Sequence, residues 1–295
     1  MTLDVFKYFK NSTHYNRLIS DDYMFVEYKC PIDVEKFKLW TDIPFITYVI
    51  SGKKDWTSVN KTYPLHSGDA LFIRKGIYNT KQYFEEDYCT ILFFITEDFI
   101  RRFMTNNTSF IKSTSPKEKY DQIFPIHVTN SINSLFLSVF NYFDMEGEIP
   151  KELVEIKFNE LLFNIALDPI NKDLINFFNT LKQVEKTSIH DIMMKNFHYD
   201  LQLEEYARLC GRSLSTFKRD FKTHFKETPG KWLNKKRLEY AKTLLENSEL
   251  NINEICYESG FKNTSHFNSS FKKKFEYPPN QYRNKHVTKS LSFLD

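Results

Sequence analysis

The stretch Gly260–Arg283 reads GFKNTSHFNSSFKKKFEYPPNQYR, and three of its phenylalanines recur at every fourth residue. Residues four apart lie on the same face of an α-helix, so Phe267, Phe271 and Phe275 are predicted to form one apolar stripe. The serines and His266 fall on other faces of that helix. The stretch therefore predicts a helix that is anchored through its phenylalanines and presents a polar face to a partner or to solvent.

The same pattern occurs once more, fifty residues earlier in the chain. A shift of 50 places Phe217, Phe221 and Phe225 on the three phenylalanines of the first stripe, and Pro229 on Pro279. Internal repetition of this kind indicates that one structural unit is used twice.

Each repeat begins with a short helical segment that ends at a glycine. Ala207 lies four residues before Gly211 in the first repeat, and Cys256 lies four residues before Gly260 in the second. A small residue where two helices touch, a glycine where the backbone turns tightly and an apolar stripe on the second helix are typical of a helix-turn-helix. The second helices are predicted near 213–225 and 263–275.

A single helical segment joins the two repeats. Residues 229–247 read PGKWLNKKRLEYAKTLLEN, open with a proline and carry these apolar residues at helical spacing: Trp232, Leu233, Leu238, Ala241, Leu244 and Leu245. A stiff connector would hold the two second helices at a fixed separation. Both helices are then predicted to enter successive major grooves on one face of a duplex, about 34 Å apart.

Basic residues are concentrated at the carboxyl end of the chain. The formal charge of the whole chain is only +3, but the segment from Glu185 onward has 20 Lys and Arg against 14 Asp and Glu, whereas the rest has 21 against 24. A local excess of positive charge favours a polyanionic partner. Together with the repeated modules, this excess predicts double-stranded DNA as the partner.

Length and composition restrict the class of protein. A chain of 295 residues with 41% hydrophobic residues predicts two globular domains. Its longest strongly apolar run, 89–95, is far shorter than the ~20 residues of a membrane helix. The four cysteines form no CxxC pair and follow no signal segment, which predicts a reducing, cytoplasmic location without a membrane partner.

The first third of the chain predicts a small β-barrel or sandwich. Segments rich in β-branched and aromatic residues are separated by turn signals, and they predict strands at 23–28, 45–50, 70–73 and 88–95. The polar segment 106–119 is predicted to be a loop. Helical spacing follows in SINSLFLSVFNYF (131–143) and ELVEIKFNELLFNIAL (152–167). These two helices are predicted either to cover the barrel or to meet a second copy of the chain.

The carboxyl-terminal part of the chain resembles the DNA-binding domain of the AraC/XylS family of bacterial transcription regulators. The resemblance is carried by ARLCGRSLSTFKRDFK, the PGKWL-N-KKRLEYAKTLL connector, I-EICYESGFKN-SHF-SSFKK-F and the closing PPNQYR. It implies an α+β protein: a cupin-like β-barrel with appended helices, then an all-α domain of two helix-turn-helix modules joined by a connector helix. The implied domains are 1–180 for sensing and dimerisation and 186–288 for DNA binding.

The resemblance also implies which residues contact DNA. Base-contacting positions of the family fall on Ser215, Lys218 and Arg219 in the first recognition helix and on Ser265, His266 and Ser269 in the second. Lys and Arg pair with guanine edges, and a good bidentate contact gives about 1–3 kcal/mol of discrimination. Short hydroxyl side chains bond to several bases or to backbone oxygens, so the second helix is expected to position the protein more than to specify sequence. Candidate phosphate contacts are Arg212, Lys222, Asn268, Lys272, Lys273 and Lys274.

Resemblance extends to the amino-terminal part. HSGDALFIRKGIYNTKQ (66–82) is similar to the Gly-Asp turn and following strand of the family's barrel, and LFIRKG resembles a subgroup that contains type III secretion activators, whose sensor is governed by protein partners. A small-molecule or protein effector is therefore expected at this domain. Aromatic side chains could line an effector pocket or simply form the core, and the candidates are Phe45, Tyr48, Trp56, Phe72 and Phe93.

No metal and no cofactor is expected in the barrel. Metal-dependent cupins need clustered histidines and a carboxylate that converge on one ion. The positions after Gly76, where a ligating histidine would fall, hold Ile77, Tyr78 and Asn79, and no HxH occurs.

The principal functional prediction is a homodimeric activator that recruits RNA polymerase, although repression also needs only occupancy of a site. The alternative is a cupin-fold enzyme with a helical interaction tail. Against that alternative, the sequence contains no phosphate loop, dinucleotide glycine fingerprint, HExxH or nucleophile elbow. The helices could also form a protein-interaction or RNA-binding module, whereas DNA binding predicts strong salt dependence and insensitivity to competing RNA.

Overall fold

The structure is a computed structural model. It describes residues 2–20, 22–29, 34–58, 61–85, 87–111, 120–145, 149–182 and 188–291, with the side chains of Thr2, Asp144 and 286–291 excepted. The chain forms two compact units, which divide between residues 185 and 186. The amino-terminal one is called unit 1 and the carboxyl-terminal one unit 2. Within the described residues, no helix combines the length and the apolar character needed to cross a bilayer.

Unit 1 contains the strands of the protein and five α-helices. The strands are β1 (Thr2–Asp4), β2 (Arg17–Ile19), β3 (Tyr23–Lys29), β4 (Lys36–Thr41), β5 (Phe45–Ser51), β6 (Lys54–Ser58), β7 (Lys61–Leu65), β8 (Ala70–Ile73), β9 (Gly76–Gln82), β10 (Cys89–Ile95) and β11 (Ile123–Ile126). The helices are α1 (Val5–Asn11), α2 (Glu97–Asn106), α3 (Asn130–Phe140), α4 (Lys151–Leu167) and α5 (Lys172–Thr180). The four predicted strands correspond to β3, β5, β8 and β10, and the two predicted helices to α3 and α4.

The strands of unit 1 form two sheets that share a core. One sheet has the order β1-β4-β9-β6-β7 and the other β11-β8-β5-β10-β3-β2. In the second sheet, β10 pairs in antiparallel register with both neighbours, and Phe93 lies opposite Phe25 of β3 and Ile46 of β5. Of the predicted loop 106–119, Asn106 is the last residue of α2, and 112–119 lie outside the described residues.

The second sheet of unit 1 is buried on both faces. On β10, Leu92 and Phe94 belong to the core between the sheets, whereas Ile91, Phe93 and Ile95 belong to a second core formed with helices α2 to α5. Successive side chains of a strand point to opposite faces, so a strand covered on both sides is apolar throughout. This explains why all seven residues of CTILFFI are buried and all but Thr90 are apolar.

Unit 2 is entirely helical in its described part. Its helices are α6 (Ile189–Asn196), α7 (Leu203–Leu209), α8 (Leu214–Phe225), α9 (Pro229–Asn247), α10 (Ile252–Glu258), α11 (Thr264–Phe275) and α12 (Pro279–Leu291). The recognition helices predicted near 213–225 and 263–275 are α8 and α11. The predicted connector is α9, and the mixed α+β class of the whole chain is confirmed.

The internal repeat is reproduced in the packing of unit 2. Phe221 and Phe225 of α8 pack on Trp232 of α9, with ring centroids 5.7 and 4.9 Å away. Fifty residues later, Phe271 and Phe275 pack on Tyr282 of α12, at 5.5 and 5.9 Å. Each recognition helix is thus fixed by its own aromatic cluster.

A polar junction joins the first module to the connector. Arg237 of α9 donates from Nε to the Phe197 carbonyl and from Nη2 to the Tyr199 carbonyl, both at 2.7 Å. The buried hydroxyl of Tyr206 on α7 has one proton, and two carbonyls lie within reach of it: that of Asn196, at 2.9 Å, and that of Tyr199, at 3.1 Å. These bonds satisfy the carbonyls of the loop between α6 and α7, which would otherwise be costly to bury.

Burial raises the pKa of Tyr206 to about 12, despite the opposing effect of the nearby Arg237 guanidinium. An unfolded chain releases this proton near pH 10. We expect the free energy of unfolding of the protein to fall between about pH 10 and 12, by up to about 3 kcal/mol. Below pH 10 the contribution of Tyr206 is fully present, because the hydroxyl is protonated in both states.

Urea unfolding of the wild type and of Tyr206→Phe across pH 8–12 tests this expectation. The variant lacks the hydroxyl and its hydrogen bonding at every pH, so it should be less stable at pH 8 and should lose less stability above pH 10. Parallel losses in both proteins between pH 10 and 12 would assign the effect to other groups.

Candidate nucleic-acid interface

The two helix-turn-helix turns have the same backbone geometry. Gly211 has φ +63° and Gly260 has φ +89°. In the first turn the Arg212 N–H donates to the Ala207 carbonyl at 2.9 Å, and in the second the Phe261 N–H donates to the Cys256 carbonyl at 3.0 Å. A left-handed glycine followed by this bond ends a helix and reverses the chain. The predicted roles of both glycines are therefore borne out by the backbone.

One face of α8 is polar and exposed. Phe217 and Phe221 are fully buried, whereas Ser215, Lys218 and Arg219 are exposed. Lys218 and Arg219 follow Ser215 by three and four residues, so all three lie on the side of the helix away from the phenylalanines. The side chain of Arg219 is 74% accessible and is therefore open to a large partner.

The exposed face of α11 carries mostly uncharged side chains. Ser265, His266 and Ser269 are exposed, and Phe267 and Phe271 are buried. The Ser269 hydroxyl donates to the His266 carbonyl of its own helix at 3.1 Å, which leaves oxygen lone pairs for an outside donor. The structure thus brings the three predicted positions of each helix together on one surface of that helix.

The candidate phosphate contacts differ in their surroundings. Asn268, Lys222, Lys272 and Lys273 are exposed. Lys274 instead reaches back to α9, where its Nζ lies 3.1 Å from the Lys235 carbonyl and 3.2 Å from Glu239 Oε1. A lysine held in this way must give up those partners before it can contact a phosphate.

Arg212 is the most enclosed of the candidate phosphate contacts. Its side chain is 14% accessible, its Nη1 donates to the Cys210 carbonyl at 2.7 Å, and its Nε lies 3.2 Å from Asp220 Oδ2. These contacts favour a role in fixing the turn ahead of α8. The contact of Arg212 with phosphate remains a prediction.

Contacts between the two modules limit how they can move relative to each other. Lys262, in the second turn, forms an ion pair with Asp200 of the first module, with Nζ and Oδ1 3.2 Å apart. A Cβ placed on Gly260 would lie 2.7 Å from the His198 carbonyl oxygen and 2.9 Å from Arg237 Nε. The second turn therefore packs directly against the loop that Arg237 holds.

The five aromatic residues proposed for an effector pocket do not share one site. Phe45 and Trp56 lie between the two sheets, whereas Tyr48, Phe72 and Phe93 face the helices on the other side of the second sheet. The space beside Phe45 and Trp56 is a cavity of about 20 Å³. A cavity of this size holds about one water molecule, and sites for drug-sized ligands measure roughly 300–1,000 Å³.

The described residues form no cluster of metal ligands, and their cysteines are buried. No three His, Cys, Asp or Glu side chains of the described ranges lie close enough together to hold a metal ion. Cys89, Cys210 and Cys256 are buried and reduced, and Cys30 lies outside the described residues. Burial raises the pKa of Cys256, which fills the small-residue position of the second turn, to about 11.

Two helix-turn-helix modules on one connector define a DNA-binding protein. A family profile described as a helix-turn-helix domain matches residues 206–285, and one described as the ExsA N-terminal regulatory domain matches residues 44–177. The chain belongs to the AraC/XylS family of transcription regulators. It is a DNA-binding transcriptional regulator, as the sequence predicts.

Two relatives align with most of the chain. The virulence regulon transcriptional activator VirF of Yersinia enterocolitica is 26% identical over 243 residues, which cover 80% of this chain and 87% of VirF. The transcriptional regulator ExsA of Pseudomonas aeruginosa is 25% identical over 239 residues, 80% of this chain and 84% of ExsA. The crystal structure of apo ToxT from Vibrio cholerae covers 90% of this chain and 97% of its own, with 12% identity and a TM-score of 0.43.

Sequence reasoning missed the residues that fix the interface. Arg237 and Tyr206 act on backbone carbonyls, which no side-chain pattern reveals. A signal existed for Asp220, because it is the single acidic residue in LSTFKRDFKTHF. The pairing of Lys262 with Asp200 had no local signal, since the two are brought together only by packing.

Gly260→Ala and Gly211→Ala form a matched pair of substitutions. Both place an alanine at a left-handed backbone position, which costs about 1–2 kcal/mol. At Gly211 a methyl group meets no atom within 4 Å, whereas at Gly260 it overlaps the His198 carbonyl. We expect Gly260→Ala to lower the free energy of unfolding by about 1–3 kcal/mol more than Gly211→Ala.

Urea unfolding of both variants measures this difference. The same proteins can be footprinted on target DNA, where Gly260→Ala should weaken protection of one of the two grooves because the second module is displaced. Equal loss of stability in the two variants would mean that the loop at His198 yields to the added methyl group.

Proposed function

We propose that this chain activates transcription by placing α8 and α11 in successive major grooves of a promoter duplex. The observation that carries the proposal is the pair of polar helix faces, Ser215 to Arg219 and Ser265 to Ser269, exposed on two modules that are fixed to one connector helix. A rigid pair of recognition helices suits a repeating duplex, whereas single strands and irregular RNA offer no such spacing.

The two helices are proposed to have different roles, α8 in sequence preference and α11 in positioning. Lys218 and Arg219 on α8 would contact guanine edges, with Ser215 beside them, and so supply most of the sequence preference. Ser265, His266 and Ser269 on α11 would bond to several bases or to backbone oxygens and so fix the register. Lys222, Asn268, Lys272 and Lys273 would contact phosphates, since all four are exposed.

Activation is favoured over repression by the function of a relative. VirF, which aligns with most of this chain, is described as a transcriptional activator. An activator of this kind would recruit RNA polymerase, and its DNA target would place it in the cytoplasm. The same family membership argues for a regulator rather than an enzyme.

Residues 1–180 are proposed to form the cupin-like sensing and dimerisation domain and 186–288 the DNA-binding domain. The match of 44–177 to a regulatory domain supports the first assignment. The cavity between the sheets is far smaller than a small-molecule site, which argues against an effector inside the barrel and favours one that binds the surface of unit 1.

The proposed dimer seam lies along α3 and α4. Leu137 on α3 and Ile156 on α4 are large apolar side chains that are 47% and 59% exposed. An open groove of about 560 Å³ runs between the two helices and is bordered by the small side chains of Ser131, Ser134 and Ser138. The groove is mostly polar and also contains Lys157 and Glu160, so the proposed contact with a second copy rests on the two exposed apolar side chains.

Three alanine variants test the DNA assignment. Arg219→Ala and Lys218→Ala should lower the ratio of specific to random-duplex affinity, by about 5-fold to 100-fold if each makes a guanine contact. Lys273→Ala should weaken both affinities alike and reduce the salt dependence by about one counterion. Binding is measured by fluorescence anisotropy at several salt concentrations.

Lys274→Ala is the matched control for Lys273→Ala. It removes the same charge from the same helix turn, but the Lys274 ammonium is directed to Glu239 and the Lys235 carbonyl, so the salt dependence should barely change. Equal losses on specific and random duplex for the Arg219, Lys218 and Lys273 variants would refute the division into base and phosphate contacts.

The dimer seam is tested with Leu137→Glu combined with Ile156→Glu. The two introduced glutamates would bury unpaired carboxylates in the seam, which is costly. The variant should therefore sediment as a monomer under conditions in which the wild type sediments as a dimer. Phe84→Glu is the control, because Phe84 is 61% exposed but lies in the turn between β9 and β10. A double variant that remains dimeric places the seam elsewhere.

A further inference from the structure

Asp220 is an acidic residue on a helix that is proposed to face DNA. The equivalent position of α11, fifty residues later, is Ser270. Each carboxylate oxygen of Asp220 is close to a different guanidinium: Oδ2 lies 3.2 Å from Arg212 Nε, and Oδ1 lies 3.4 Å from Arg219 Nε. Asp220 therefore links an enclosed arginine to an exposed one.

The enclosed side of this link is well fixed. Arg212 follows Gly211 in the first turn, and its Nη1 donates to the Cys210 carbonyl at 2.7 Å. In the second module the residue after the glycine is Phe261, whose ring packs on Phe267 with centroids 5.2 Å apart. In each module the residue after the glycine thus contacts the recognition helix, through an ion pair in the first module and through an aromatic contact in the second. The ion pair with Arg212 fixes the position of the Asp220 carboxylate.

The exposed side of the link restricts a side chain that would otherwise move freely. The side chain of Arg219 is 74% accessible, and fixing an exposed arginine in one rotamer costs conformational entropy. A carboxylate at Nε reduces this cost before DNA arrives. It also leaves Nη1 and Nη2, which together fit the O6 and N7 acceptors of guanine.

We propose that Asp220 is a positioning residue that orients Arg219 toward a guanine edge. The proposal rests on the proposed function, in which α8 lies in a major groove. It extends that function by assigning sequence preference to a residue that does not itself contact a base.

The charge of Asp220 allows an experiment to distinguish a positioning role from a purely structural one. A carboxylate near phosphates opposes binding to any duplex. Removing its charge should therefore raise affinity for random duplex while it lowers discrimination between specific and random sites. Loss of a merely structural contact would instead weaken both affinities together.

The test is Asp220→Asn in the full chain, alone and combined with Arg219→Ala. We expect the ratio of specific to random-duplex affinity to fall about three- to tenfold in Asp220→Asn. This is less than the loss expected when a whole guanine contact is removed. In the Arg219→Ala background, Asp220→Asn should cause no further fall in this ratio. Glu249→Gln, which removes one exposed negative charge outside the recognition helices, is the matched control and should leave the ratio unchanged.

Each contrary result has a distinct meaning. If Arg219→Ala lowers the ratio and Asp220→Asn does not, the positioning role is wrong and the proposed function stands. A fall caused by Asp220→Asn even in the Arg219→Ala background also overturns the proposal, because Asp220 would then act independently of Arg219. If Arg219→Ala leaves the ratio unchanged, the assignment of α8 as the base-reading helix fails, and the role of Asp220 fails with it.

Discussion

Two backbone carbonyls, those of Phe197 and Tyr199, hold the guanidinium of Arg237, and the geometry of the DNA-binding unit depends on this contact. Arg237 belongs to the connector, the carbonyls belong to the first module, and Gly260 of the second module packs against the same loop. Hydrogen bonds from a charged donor are roughly twice as strong as neutral ones. The separation of the two recognition helices is therefore set by a side-chain junction as well as by the length of α9.

Much of unit 2 could be predicted from the sequence because its signals are local. These signals are the phenylalanines at every fourth residue, the proline at the start of α9 and the glycine in each turn. Each determines the backbone conformation or the buried face of only a few neighbouring residues. Helix α8 begins one residue after the predicted start, since Ser213 is its N-cap, and its hydroxyl accepts from the Thr216 N–H. The difference between the turns was also readable, since the second has one more residue, Lys262, before its N-cap Asn263.

Unit 1 was less predictable because its central sheet is covered on both faces. In FITYVI, Phe45 faces the other sheet and Tyr48 faces the helices, yet both are buried and aromatic. Alternation between polar and apolar residues, which would reveal the register, is absent from such a strand. A list of inward aromatics could therefore not be drawn from composition alone. The Arg212 and Asp220 pair was hidden for another reason, since it depends on the chain reversal at Gly211.

The cysteines of unit 2 have a consequence for chemical regulation. Cys210 and Cys256 are the only cysteines after residue 185, and both are buried among packed helices. Oxidants and alkylating reagents attack the thiolate, and the raised pKa of Cys256 keeps its thiolate scarce at neutral pH. Peroxide should therefore oxidise these two thiols only slowly. For the same reason, a cysteine introduced on its surface would take a maleimide dye without removal of the native pair.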